Sequence, residues 1–257
     1  ACLALTGELL ATVRLPRDAT VGRLRREVAQ SLGKASTVQV LFDERALHPC
    51  EALAAAGLRH GSTVEVVLGR CCVVTASNDH TAKVFAADDG ECLLTIDGHD
   101  DVVATACFSS DASRVLTASF DHTAKIWSAA DGACLATLVG HTGAVWSAAF
   151  SPGDERVVTA SSSDSTARIW CGRTFECLRV LEGFEMSSAS FAPDGRRVVT
   201  ACSWDESARL WCADSGECLR RLGGHDGAVL SAAFAPDNLS VVTVSWDGTA
   251  KLWWADT

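Results

Sequence analysis

Asp121-His122-Thr123-Ala124-Lys125-Ile126-Trp127 places a turn-forming Asp six residues ahead of a large aromatic. The same spacing returns at Asp79 to Phe85, Asp164 to Trp170, Asp205 to Trp211 and Asp247 to Trp253, in steps of 42, 43, 41 and 42 residues. A period held that closely means one supersecondary unit copied repeatedly, each copy burying its apolar faces against its neighbours. Outward from Asp164, the third copy reads Gly140-His141, an apolar run from Ala144 to Phe150, and the turn Ser151-Pro152-Gly153-Asp154. It continues with Arg156 to Ser162, then Thr166 to Trp170 and Cys177 to Leu181. Four short strands per repeat describe a propeller blade.

The Gly-His pair recurs at Gly98-His99 and Gly224-His225, with Gly183-Phe184 in the fourth copy. Val157-Val158-Thr159 is echoed by Val73-Val74-Thr75, Val198-Val199-Thr200 and Val241-Val242-Thr243, β-branched runs suited to a buried pleated surface. These residues resemble the WD-repeat family, although Ser128, Cys171, Cys212 or Trp254 follows the aromatic where that family carries Asp. The resemblance implies a hydrogen-bonded chain from Trp through a Ser or Thr and a His to the turn Asp. The matching structural sets are Trp127, Ser119, His99 and Asp121; Trp170, Ser162, His141 and Asp164; and Trp253, Ser245, His225 and Asp247. A His between a hydroxyl and a carboxylate also has the look of a nucleophilic triad. A catalytic site, however, is not copied once per blade while neighbouring copies lose members: the first copy has Phe85 and no Gly-His, and the fourth has Phe184.

Of twelve Cys, four occupy equivalent places in the last strand of a blade, Cys92, Cys134, Cys177 and Cys218, and are expected to be core fillers. No C-x-x-C pair occurs, which leaves a zinc site without its ligand spacing. No phosphate-cradling loop is present either, so the chain is read as non-catalytic, with no metal and no cofactor. His80 and His122 follow the turn Asp at matched positions, but Ser165, Glu206 and Gly248 replace them later, which is repeat logic and not a ligand set. Unpaired, buried cysteines point to a reducing compartment, hence cytoplasm or nucleus or both.

Residues 1–70 show no such period and carry nine Lys and Arg against seven Asp and Glu, a net +2, whereas residues 71–257 carry −12. The pattern is strand, turn at Thr6-Gly7-Glu8, strand from Leu9 to Leu15, then Asp18-Ala19-Thr20 opening an amphipathic helix from Val21 to about Leu32 that Gly33 ends. Strands at Val38 to Phe42 and Thr63 to Leu68 follow. Leu15-Pro16-Arg17-Asp18-Ala19-Thr20-Val21, Val40-Leu41-Phe42 with Leu47, and Leu53 with Gly61 to Leu68 make the segment similar to ubiquitin. The resemblance implies an α+β β-grasp domain. Because the segment runs on through Gly69-Arg70, it implies a built-in docking module and not a conjugated tag. Ubiquitin's partner-binding patch maps onto Leu41, Glu65 and Val67, with Glu65 in place of a histidine.

The expected organisation is thus mainly β. A ubiquitin-like domain over 1–70 precedes WD-repeat blades over 71–257, divided at 71–97, 98–139, 140–182, 183–223 and 224–257. The first lacks its opening strand and the last its closing one, which predicts an open arc of about four and a half blades, with the shortened fourth the softest. No run of eighteen apolar residues spans a membrane. A pI near 5.1 argues against direct binding of nucleic-acid phosphates.

In WD-repeat relatives, partners commonly sit on the end of the blades that carries the turns between second and third strands. The resemblance places Asn78, Phe120, Ser163, Trp204 and Trp246 there, with Val102, Ala104, Ala144, Trp146, Glu185, Ser187, Ala228 and Leu230 from the first strands. Among them Phe120, Trp146, Trp204 and Trp246 form an aromatic set that varies from copy to copy, as hot-spot residues do. The expectation is a scaffold with at least two protein partners, one per domain. The domain pairing is shared with adaptors of ubiquitin-dependent degradation and, alternatively, with ribosome-assembly factors of the Notchless type.

Overall fold

The computed structural model describes residues 2–5, 8–12, 36–42, 45–46, 63–70 and 72–255, with side chains from residue 72 onward. The chain divides into two compact units, Ala1–Val73 with Phe85–Glu91, and Val74–Val84 with Cys92–Thr257.

In the first unit β1 (Cys2–Leu5) pairs antiparallel with β2 (Glu8–Thr12) and parallel with β5 (Thr63–Arg70). β5 also pairs antiparallel with β3 (Ser36–Phe42), which carries the short β4 (Arg45–Ala46), giving the order β2-β1-β5-β3-β4. Leu41 stands opposite Glu65 in this register, and Val67, two residues along β5, stands opposite Gln39. The helix expected from Val21 to Leu32 lies outside the described residues.

The repeats form successive antiparallel meanders. β6 (Cys72–Ala76), β7 (Ala82–Ala86) and β8 (Cys92–Ile96) make a three-stranded sheet. Three four-stranded sheets follow. They are β9 (Val103–Phe108) to β12 (Cys134–Val139), β13 (Val145–Phe150) to β16 (Cys177–Glu182), and β17 (Met186–Phe191) to β20 (Cys218–Gly223). β21 (Val229–Phe234), β22 (Ser240–Ser245) and β23 (Ala250–Trp254) form a last sheet of three. The first strands β9, β13, β17 and β21 adjoin one another in chain order.

The second strand of each four-stranded sheet, β10 (Arg114–Ser119), β14 (Arg156–Ser161) or β18 (Arg197–Cys202), is buried on both faces, which is why its sequence is continuous and not alternating. Parity divides the work. Val115 and Trp127 pack back against Ala82, Val84 and Ile96, while Leu116, Ala118 and Ile126 pack forward against Val145, Val157 and Trp170. The forward residues repeat as Val158, Ala160 and Ile169, then Val199, Ala201 and Leu210, all buried. On the last sheet the same positions, Val242, Val244 and Leu252, are exposed, Leu252 by 67%.

The cysteine expectation is corrected here. Cys92, Cys134, Cys177 and Cys218 are exposed free thiols. The fourth strands carry one buried apolar residue each, Ile96, Leu138, Leu181 and Leu222, four places after the Cys, and the Cys stands exposed at the strand's start.

The fourth copy substitutes for its missing His from elsewhere. Phe184 does not enter the sheet and is 54% exposed. The Arg209 guanidinium lies 5.4 Å from the Phe184 ring centroid and pairs with Asp205 at 2.7 Å. Met186, where the other sheets begin with Val103, Val145 and Val229, is wholly buried. A Cβ at Gly183 would come within 2.3 Å of the Met186 Cε, so a larger residue there would oblige the end of the Met186 side chain to shift.

Candidate functional site

Turns between second and third strands lie at the same sheet end as the loops leading into each first strand, and hydrogen bonds tie the two together. Phe120 N–H donates to the Val102 carbonyl at 2.9 Å, Ser203 N–H to Glu185 at 3.0 Å, and Trp246 N–H to Ala228 at 3.0 Å. Each turn Asp makes the turn itself. Asp121 Oδ1 accepts from the Thr123 N–H at 2.9 Å and hydroxyl at 2.6 Å, an Asx turn that leaves His122 in the left-handed region at φ 71°. His80, Ser165, Glu206 and Gly248 occupy the equivalent left-handed corner, so backbone geometry and not ligation accounts for that position.

Behind the turns run the recurrent polar chains. Trp127 Nε1–H donates to Thr117 Oγ1 at 2.8 Å, Thr117 Oγ1 lies 2.7 Å from His99 Nε2, and His99 Nδ1 lies 2.6 Å from Asp121 Oδ2. Trp170, Thr159, His141 and Asp164 repeat it at 2.9, 2.7 and 2.7 Å, and Trp253, Thr243, His225 and Asp247 at 2.8, 2.7 and 2.7 Å. In the fourth copy Trp211 donates to Thr200 at 2.9 Å.

The hydroxyl link is therefore a Thr, which corrects the assignment of Ser119, Ser162 and Ser245. Register gives the reason. Trp127 stands opposite Val115, so the indole reaches the diagonal neighbour Thr117. Ser119 lies about 13 Å along the strand from Val115, at ~3.3 Å per residue. Ser119 instead donates to the Asp101 carbonyl at 3.1 Å and accepts the Asp121 N–H at 3.1 Å, and Ser245 does the same with Gly227 and Asp247. In the third copy Ser161, not Ser162, accepts the turn N–H. Val-Val-Thr carried the missing signal in its last residue.

These chains are saturated. Asp121 Oδ2 also accepts the Asp100 N–H at 3.2 Å, so both carboxylate oxygens each take two donors. Thr117 Oγ1 accepts the indole N–H and lies within reach of His99 Nε2, an arrangement that a neutral His99 with Nδ1–H directed at Asp121 satisfies. Burial holds His99 and His141 below the usual imidazole pKa, against the upward pull of their Asp partners. Burial pushes the Asp121 and Asp164 carboxyls up, but the hydrogen bonds from Thr123 and His99, and from His141 and Thr166, bring them below the usual range. The arrangement braces a turn. It presents no free base and no accessible nucleophile.

A pH dependence follows. Below about pH 6.5 the unfolded chain takes up protons that folded His99 and His141 resist, so their contribution is complete above that pH and drains away as pH falls toward their folded values. Asp121 and Asp164 act in the same direction below ~3.8, where their unfolded counterparts protonate first. The urea midpoint at about pH 5 is expected to lie below that at about pH 7.5. Equal midpoints, or a higher one in acid, would contradict the neutral-strut geometry.

The braced turns carry the aromatic set. Trp204 is 74% and Trp246 78% exposed, and Trp146 and Leu230 are exposed as well. Phe120 is half-buried against Trp146, ring centroids 4.5 Å apart. Asn78 and Ser163 are exposed, and Glu185 is half-buried with φ 37°. The structure thus brings Phe120 and Trp146 into contact and leaves Trp204 and Trp246 free on their turns. Among the described residues no group of three or more His, Cys, Asp or Glu is placed to hold a metal, and no helix is long and apolar enough to cross a membrane.

The WD40 family model, "WD domain, G-beta repeat", matches residues 90–128, 132–171, 175–212 and 216–253, more than half of the chain. Each matched window opens at or just ahead of the last strand of one sheet and closes at the third strand of the next. No curated protein matches the chain.

Proposed function

The chain belongs to the WD40-repeat family, and from that membership we propose that it is a non-catalytic scaffold whose turn end binds a protein partner while residues 1–70 dock a second. WD40 repeats are generally protein-interaction scaffolds. The observation that carries the reading is the contrast between side chains. Recurrent Trp127 and Trp170 are buried struts, whereas Trp204 and Trp246, on turns locked by Asp205 and Asp247, stand in solvent at 74% and 78% exposure. Large exposed aromatics on a rigid support form a pre-organised contact surface.

For residues 1–70 we propose a ubiquitin-like β-grasp module with Leu41, Glu65 and Val67 as its contact patch. A parallel β1–β5 pair flanked by antiparallel partners, in the order β2-β1-β5-β3-β4, supports that reading, as does the register of Leu41 opposite Glu65. Two modules on one chain raise overall avidity when both partners belong to one assembly, which fits an adaptor in ubiquitin-dependent degradation. The exposed free thiols support a place in the reducing cytoplasm or nucleus.

Trp204→Ala with Trp246→Ala is expected to abolish recovery of the principal partner in affinity purification with quantitative mass spectrometry. The unfolding midpoint should move by no more than about 0.5 kcal/mol, the scale of surface changes. Undiminished recovery would refute the binding face, and a large loss of stability would show that the two indoles are core.

A further inference from the structure

We propose that the partner segment received at the turn end is basic, with Lys and Arg interspersed with apolar side chains. This rests on the reading of that end as the binding face and adds the chemistry of what binds there. At the sheet ends that carry the exposed indoles stand Asp100, Asp101, Glu206 and Asp226, all exposed, from the loops and turns of three different sheets. None of the four carries an ion pair among the described residues. Of the neighbouring cations, Arg209 and Arg221 both engage Asp205, while Lys125 Nζ donates to the Gly98 carbonyl at 2.6 Å and Lys251 Nζ to that of Gly224, and Arg168 stands beside Gly140. Against these, the turn carboxylates of Asp121, Asp164 and Asp247 face His partners and not Lys or Arg. The end therefore offers an excess of exposed carboxylates on the sheet ends that carry exposed Trp faces.

Each half of that surface selects the same ligand. Carboxylates attract ammonium and guanidinium groups and repel phosphate, so a nucleic-acid strand that stacked on the indoles would bring its charge into the same field. Trp faces attract cations through the ring quadrupole, and the methylene stems of Lys and Arg lie along such rings while their heads reach outward. Apolar residues between the basic ones would cover Leu230 and the Phe120–Trp146 pair, which are partly exposed. The net charge of −12 over residues 71–257 steers such a segment toward the chain from a distance.

The test titrates the full chain with three fluorescent probes: a short synthetic peptide of Lys, Arg and Leu, the same peptide with Glu for every Lys and Arg, and oligo-dT. The Lys/Arg/Leu peptide is expected to bind most tightly and to weaken with added salt. Asp100→Asn with Asp101→Asn, Glu206→Gln and Asp226→Asn should weaken it on the order of tenfold. The same number of charges removed from the opposite sheet ends, Asp131→Asn with Glu155→Gln, Glu176→Gln and Glu217→Gln, should change it by less than about twofold. Equal or tighter binding of the Glu peptide or of oligo-dT overturns the proposal. So does an equal loss from the control charges, or no binding of the basic peptide.

Trp204→Ala with Trp246→Ala separates the two claims. If it weakens the basic peptide while the carboxylate changes do not, the charge inference fails and the binding face stands. If the basic peptide binds this variant as well as the parent, the face itself fails. If no probe binds but the variant still loses its partner in affinity purification, only the basic chemistry is overturned.

Discussion

Thr159→Val is expected to destabilise the chain by about 3 kcal/mol, between the costs of one and two orphaned buried polar groups. Thr159 is wholly buried, accepts the Trp170 indole N–H at 2.9 Å and faces His141 Nε2 at 2.7 Å. Valine keeps the shape and β-branching and removes the only atom that satisfies both. Trp170 and His141 are themselves buried, so water does not replace the lost partner. Ser162→Ala, at the position that the sequence pattern alone favours, should stay within about 0.5 kcal/mol. Urea unfolding of the two variants reads the difference as a shift in midpoint at unchanged slope. A Thr159→Val midpoint equal to that of the parent would mean that the chain from Trp to Asp does not brace the sheet.

Leu210→Ala and Leu252→Ala form the second large contrast. Both are third-strand residues one repeat apart, 42 positions in sequence. Leu210 is 1% exposed in a cluster with Val229, Ala232 and Val241 of the following sheet. Its truncation leaves a cavity between two sheets and should cost about 2–5 kcal/mol. Leu252 lies on the uncovered face of β22 and β23, where truncation removes little buried surface and should cost less than ~0.5 kcal/mol. The same substitution at the same repeat position thus separates sequence from packing. Equal costs would show that something covers the last face.

Much of the repeat architecture was legible because periodicity of about 42 residues fixes which residues share a structural role. The Asp-to-Trp spacing located the second and third strands and the turns between them. Two errors arose where period alone underdetermines geometry. A repeat identifies Ser119 and Thr117 equally well as recurrent hydroxyls; only the cross-strand register, with Trp127 opposite Val115, shows which one the indole reaches. Recurrence likewise made Cys92, Cys134, Cys177 and Cys218 look like core, yet an outermost strand packs on one side, and these residues face water. Phe184, which stands where the other copies have His, stays outside, with the Arg209 guanidinium against its ring. The exposed aromatics Trp204 and Trp246 were identifiable because they break the repeat, and the acidic residues around them were not, since side-chain pairing of the nearby Lys and Arg had to be seen in three dimensions.

The central claim is that residues shared by the repeats hold the sheets together while residues that differ between them make contacts. It is tested most directly by measuring stability and partner recovery side by side for Thr159→Val and for Trp204→Ala with Trp246→Ala, both well below their unfolding midpoints. The account predicts a crossed outcome: the first loses about 3 kcal/mol and keeps its partner, and the second keeps its stability and loses the partner. Loss of the partner by folded Thr159→Val at unchanged stability would instead make the recurrent chain the functional site, and would contradict the account.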